Sequence, residues 1–156
     1  MNDESQLPPE EDFKDKYFRT LAEMENMRKR MQRETKELNQ FAVEKAIGEF
    51  LPALDNLENA LLFADSAVPE VKNWAQGFQM ILAQFKEVLV HHGIVVFHSE
   101  GQQFDPVYHE AVELEETDKV KSGTVLQEFN KGYKSRDRVI RPARVKVAKE
   151  KEENHV

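Results

Sequence analysis

Cysteine is missing from all 156 residues. That excludes a disulfide framework, a thiolate nucleophile and a thiolate metal site. No apolar run is longer than a few residues, so no segment is expected to span a bilayer. Met1 to Asp12 lacks the basic and apolar regions of a secretory signal, and the expected compartment is the cytoplasm. A positive balance is missing as well. The formal charge is −7, which argues against wholesale affinity for nucleic acid or membrane. The chain also lacks G-x-x-x-x-G-K-[ST], G-x-G-x-x-G and G-x-S-x-G, the phosphate-cradling and nucleophile-elbow patterns. His109-Glu110 begins like a zincin motif, but the residue four further on is Glu113, not a second histidine. His91, His92, His98 and His109 fall on two types of element and read as surface or packing residues. The acids of 110–118 sit in a strand and an open turn that imply no pocket for an acid–base pair. No catalytic, cofactor-binding or metal-ligating residue is assigned, and no enzyme activity is expected.

Glycine and proline are scarce where it matters most. Residues 13 to 64 hold one of each, Gly48 and Pro52. From Val43 an apolar seam reads Val43, Ile47, Phe50, Leu54, Leu57, Leu61 and Ala64, in steps of four and three that keep one helix face. Upstream it continues through Tyr17, Leu21, Met24, Arg28, Met31, Thr35, Leu38 and Ala42. Such a helix spans roughly 75 Å at about 1.5 Å per residue. Its stripe needs a partner, most economically a second copy of itself. Arg28 and Thr35 stand where a zipper wants leucine, and the register slips by one position before Val43, so the first half should pair weakly. Pro52 removes one helix hydrogen bond and presses on the carbonyl of Gly48, predicting a kink and not an end.

The domain plan follows. Residues 1–12 read as a disordered acidic lead-in. Residues 13–66 form the long coiled-coil helix, kinked near Pro52. Residues 67–93 form bundle helices, with a stripe of Val71, Trp74, Phe78, Ile81, Phe85 and Val88. Gly77 marks either a close helix approach or a split, and Gly93 a stop. Two copies of this segment would make a four-helix bundle. Residues 94–148 change to a strand period and predict a small antiparallel β-domain, with strand-like runs at 94–97, 110–115, 124–129 and 139–147. Lys131-Gly132 and Ser135 to Arg138 read as turns. Charge is sorted here: residues 100 to 118 hold seven acids and no Lys or Arg, while 131 to 151 hold nine Lys or Arg against two acids. Residues 149–156 read as a frayed tail. The class is α+β.

Special residues in the β-domain carry a resemblance. They are Phe104-Asp105-Pro106, His109-Glu110-Ala111-Val112, Gly132-Tyr133, and the run from Asp137 through Arg138, Ile140, Arg141, Ala143 and Val145 to Val147. This pattern resembles the signature of the GrpE family, nucleotide exchange factors of DnaK-type heat-shock chaperones. Leu51-Pro52-Ala53-Leu54-Asp55-Asn56-Leu57 and Gly77 are similar to that family too, whereas Phe13 to Leu38 is unspecific. The resemblance implies a homodimer that is not an enzyme and needs no cofactor. One β-wing would hold open the nucleotide cleft of the chaperone's ATPase domain, so that ADP leaves during the heat and hyperosmotic stress response.

Residue roles follow from pattern and resemblance together. Asp105, Pro106 and Gly132 should set turns. Tyr133, Ile140 and Val145 should fill the wing core. Phe104, His109, Ala111, Asp137, Arg141 and Ala143 complete the structural motif. Arg138 is expected to reach a carboxylate of the partner. The resemblance adds Phe129, Val147, Arg28 and Phe41 as chaperone contacts, with core packing the rival reading for Phe129 and Val147. It also suggests a long helix that melts reversibly on heating and throttles exchange. Two other classes stay open. One is a coiled-coil adaptor whose wing binds another protein. The other is a nucleic-acid binder using residues 131 to 151, which lacks the interleaved aromatics of a stacking platform.

Overall fold

The structure, a computed structural model, describes residues 10–64, 68–136 and 138–151. The expected lead-in before Glu10, the break at Ser66, Asp137 and the tail beyond Lys151 lie outside the described residues. The order is α1 (Glu10–Ala64), α2 (Pro69–His91), β1 (Val95–Phe97), β2 (His109–Glu116), β3 (Val125–Asn130), β4 (Gly132–Lys134), β5 (Val139–Arg141) and β6 (Ala143–Lys149). The class is α+β. Helix α1 begins ahead of the expected Phe13 and runs uninterrupted through Pro52.

The chain divides into two units, residues 1–42 and 43–156. In the first, every described side chain from Phe13 to Ala42 is exposed. The helix is laced by short-range ion pairs at helical spacing: Arg19–Glu23, Arg28–Glu25, Lys29–Glu25 and Arg30–Glu34. Thr35 returns its hydroxyl to the Met31 carbonyl at 2.8 Å. Phe13, Tyr17, Leu21, Met24, Met31 and Leu38 stay in solvent.

In the second unit the residues of α1 serve two faces. Leu54 and Leu61 are buried with Ala75 and Leu82 of α2, flanked by Leu57 and Ala64. Leu51 is buried with Leu89, Ile94 and Tyr133, flanked by Ile47 and Ile140. Much of the expected dimer seam is therefore covered within one chain, while Phe50 remains exposed. Helix α2 opens on Pro69, the helix position where a missing N–H costs nothing. It passes through Gly77 without a break, and beyond the helix's own backbone no atom of the described residues stands within 4 Å of a Cβ added there. It stops at Gly93, whose φ of 73° is left-handed and lets Ile94 N–H reach the Leu89 carbonyl at 2.8 Å. Its buried residues are Ala75, Leu82 and Leu89. The stripe of Val71, Trp74, Phe78, Ile81, Phe85 and Val88 is left exposed.

The β-domain holds two three-stranded sheets, ordered β1-β4-β5 and β2-β6-β3. The first is antiparallel throughout. In the second, β3 runs antiparallel to β6 but β2 runs parallel to it, with a bulge at Val112. Val125, Ala143, Val145 and Val147 form its core, with Phe97 and Phe104 against them. Two features differ from the expected strands. Gly132-Tyr133-Lys134 is a strand, not a turn, and Pro142, which cannot donate to a ladder, separates β5 from β6. Gly132 is needed for a close approach: a Cβ there would collide with the Phe97 ring. Gly132→Ala should therefore overpack this site and destabilise the β-domain by about 1–3 kcal/mol. A urea titration reads that loss, and an unchanged midpoint would show that the ring moves aside freely.

Candidate functional site

Glu44, Gly48, Leu51, Asp55 and Glu58 recur at helical spacing and lie along one face of α1. Read as sequence, three carboxylates on a helix are a solvated face. In the fold they meet the β-domain. Leu51 is wholly buried, and Gly48 leaves room for Ile140, whose Cγ2 lies 3.4 Å from where a Cβ would stand. Above and below this apolar contact stand three charge pairs. Arg138 Nε is 3.1 Å from Glu44 Oε2, and Glu44 is itself buried. Arg141 forks onto Asp55, with Nη1 to Oδ2 at 2.7 Å and Nη2 to Oδ1 at 3.1 Å. Lys131 Nζ donates to Glu58 Oε2 at 2.7 Å, and Lys86 of α2 lies 2.6 Å from Oε1 of the same carboxylate.

The Arg141–Asp55 pair is the most connected. Arg141 also donates through Nε and Nη2 to the Lys131 carbonyl, at 3.2 and 2.7 Å. Its guanidinium lies 5.4 Å from the centre of the Tyr133 ring. Asn130 Nδ2 donates to Asp55 Oδ2 at 3.1 Å. Burial pushes the Glu58 carboxyl up, but hydrogen bonds from Lys131 and Lys86 outweigh it and hold the group below the usual carboxylate value. Burial raises the Tyr133 phenol, helped by the negative charges of Glu58 and Asp55. A cleft of about 560 Å³ opens beside these pairs, with Asp55, Glu58, Lys86, Glu128 and Lys131 on its walls.

The outward face of β6 explains the sorted charge. Arg144 faces Glu110 at 3.8 Å, and Lys146 Nζ reaches Glu113 at 3.0 Å and Glu115 at 3.3 Å. The acids of β2 and the bases of β6 are neighbours across the parallel pair. Lys146 also lies 6.0 Å from the centre of the exposed Phe129 ring. Five of the nine Lys and Arg of residues 131 to 151, namely Lys131, Arg138, Arg141, Arg144 and Lys146, thus each face a carboxylate of the same chain.

The expected contact residues scatter. Phe129 is exposed, as is Phe41 on the first unit. Arg28 is exposed and bound to Glu25 through Nε and Nη2 at 2.9 and 2.7 Å. Arg138 is half exposed but already faces Glu44. Val147 is buried in the core beside Val125 and Val145 and presents no surface. Tyr133 and Ile140, assigned to the wing core, instead pack on Leu51 and Ile47 of α1. Asp105 caps the turn around Pro106: its Oδ1 accepts from Val107 N–H at 2.9 Å, and its carbonyl from Tyr108 and His109. Asp55 was missed. Its signals were its place in the Leu51–Leu57 run that resembles the family and its spacing of one helical turn from Leu51, on the face beside the apolar seam.

His109 is buried between the Phe97 and Phe104 rings. Its Nδ1 accepts from Asp105 N–H at 3.0 Å, which assigns the proton to Nε2. Nε2 has no hydrogen-bond partner among the described residues. Burial lowers its pKa from the ordinary 6.5, against the opposing pull of Asp105 and Glu128. The unfolded chain takes up a proton as pH falls below about 6.5 while the folded chain resists it, so stability is complete above that value and declines below it. Urea unfolding of the β-domain should show lower stability at pH 5.5 than at pH 7.5. His109→Gln should flatten that difference, and an equal slope in both proteins would remove His109 as its cause.

Among the described residues no group of three histidine, aspartate or glutamate side chains is placed to hold a metal. No helix among them is long and apolar enough to cross a membrane. What the described residues do present is exposed apolar stripes on two helices and a small β-domain joined to α1 by charge pairs. The chain belongs to the GrpE family, whose model matches residues 6–149. It is 56% identical over 138 residues to Protein GrpE of Protochlamydia amoebophila, covering 88% of this chain and 65% of that one. It is 55% identical over 135 residues to Protein GrpE of Chlamydia trachomatis serovar L2, and 57% identical over 135 residues to that of Chlamydia abortus. Each of these alignments covers 86% of this chain and 71% of the relative. The chain therefore spans about two thirds of the length of these relatives.

Proposed function

We propose that this chain is a homodimeric nucleotide exchange factor for a DnaK-type chaperone, not itself an enzyme, acting in the cytoplasm during protein folding and stress. Membership of the GrpE family is the observation that carries this reading. The exposed stripe on α2 and the exposed seam between Phe13 and Leu38 support pairing with a second copy, since both are apolar and neither is covered within the chain. The β-domain, paired with α1 through Arg138, Arg141 and Lys131, suits a lever that bears on the chaperone's ATPase domain. Phe129 offers it an exposed aromatic, and Arg28 and Phe41 offer contacts along the helix. Exchange then requires only differential binding: the open cleft must be bound better than the closed one. Nucleotide and exchange factor weaken each other's binding by the same factor.

Release of labelled ADP from a DnaK-type ATPase domain tests this directly. Acceleration that saturates with added protein is expected, and an unchanged rate at saturation would overturn the reading. An adaptor that merely binds would give a complex without acceleration.

The helix of the first unit is also proposed to act as a thermosensor. Its seam carries Arg28 and Thr35 where apolar residues would pair, and the helix is laced by exposed ion pairs that contribute little. Replacing both by leucine should raise its melting temperature in circular dichroism. An unchanged melt would show that the seam lies elsewhere.

A further inference from the structure

We infer that Asp55 and Arg141 are positioning residues for exchange: their forked pair latches the β-domain to α1, so that force on the wing is carried to the helices. This rests on the exchange reading above. The apolar contact between the two parts is a single cluster, Ile47 and Leu51 of α1 with Leu89, Ile94, Tyr133 and Ile140. Beside it the cleft is open. A wing held by so few apolar groups would tilt about that contact when loaded, and its tip would yield instead of holding a partner's cleft apart. The charge pairs stand across this tilt axis, Glu44–Arg138 on one side and Asp55–Arg141 on the other.

Three features single out the second pair. Both side chains are largely buried, at 11% and 18% exposure, so solvent screens them little. The contact is bidentate, and the planar fork fixes an angle as well as a distance. The same guanidinium grips the Lys131 carbonyl and lies against Tyr133, while Asn130 holds the same carboxylate. One ion pair thus ties α1 to β4, β5 and the β3–β4 corner together.

The test uses the absence of cysteine. Cysteines placed at Glu49 on α1 and Gln127 on β3, both exposed, carry spin labels, with labelled chain diluted in unlabelled chain. Asp55→Asn should broaden the distance distribution between the labels. It should also lower the maximal rate of ADP release about tenfold at saturating protein, with chaperone affinity within about threefold of the original. Arg141→Lys keeps the charge without the fork, and should fall between the two in both measurements. It carries the same test should Asp55→Asn not fold. An unchanged maximal rate, a loss confined to affinity, or a lost rate with an unchanged distance distribution would each overturn the latch. If the original protein fails to accelerate ADP release, the exchange reading falls, and the distance distribution alone decides whether Asp55 fixes the wing.

Discussion

Aspartate at both Ile81 and Phe85 will leave the protein monomeric at micromolar concentration. The two side chains are 44% and 48% exposed, on the stripe that α2 does not use within its own chain. In a bundle of two copies, four such side chains lose their remaining contact with water. Burying the exposed half of each contributes about 1 kcal/mol. A carboxylate without a partner at the same place costs at least about 2 kcal/mol. Over four positions the change is on the order of 10 kcal/mol, about seven decades in the dimer dissociation constant. Light scattering during gel filtration reads the mass. A dimer that survives the double substitution would place the interface elsewhere. The interior of each chain should persist, because the buried residues of α2, Ala75, Leu82 and Leu89, are left unchanged.

Leu51→Ala is expected to give the largest loss of stability from a single side chain. Leu51 is wholly buried where α1, α2 and the β-domain meet, against Leu89, Ile94 and Tyr133. Deleting its branch removes transfer free energy and leaves a cavity that three elements cannot easily close, costing about 3 kcal/mol. For a folded unit of this size the melting temperature should fall by roughly 10 °C. Val107→Ala, at an exposed turn position, serves as the comparison and should move the midpoint little. Equal midpoints for the two variants would mean that the β-domain does not pack on the helices through Leu51. The predicted loss differs in kind from that of Asp55→Asn, which should loosen the wing without unfolding it.

Much of the architecture was legible because it rests on local rules. Helical spacing over dozens of residues, with a single glycine and a single proline, can be read without knowing what lies opposite. The stripe on α2 is the clearest case: Val71, Trp74, Phe78, Ile81, Phe85 and Val88 were picked out by period alone, and the fold leaves them exposed together. The spacing of Asp105, His109, Gly132, Tyr133 and Arg141 carried the family. Period could not say which stripe faces which neighbour. Leu54 and Leu61 sit on the best seam of α1, yet they are covered by α2 of the same chain. Gly132 read as a turn residue because a turn and a close approach both favour glycine, and only the position of Phe97 separates them.

Charge marks the boundary between the two kinds of information. The sequence settled the helical register, the change to strand period after Gly93, and the segregation of acids and bases, since each is a property of neighbours along the chain. Tertiary structure alone decided what those charges do. A carboxylate on a helix is solvated unless something covers it, and what covers Asp55 is Arg141, 86 residues further on. The same holds for the parallel pairing of β2 with β6, which sets Glu110, Glu113 and Glu115 beside Arg144 and Lys146. Desolvation and pairing arise only when distant segments meet, so the local pattern could mark Asp55 and Arg141 as members of a motif but could not show that they pair with each other.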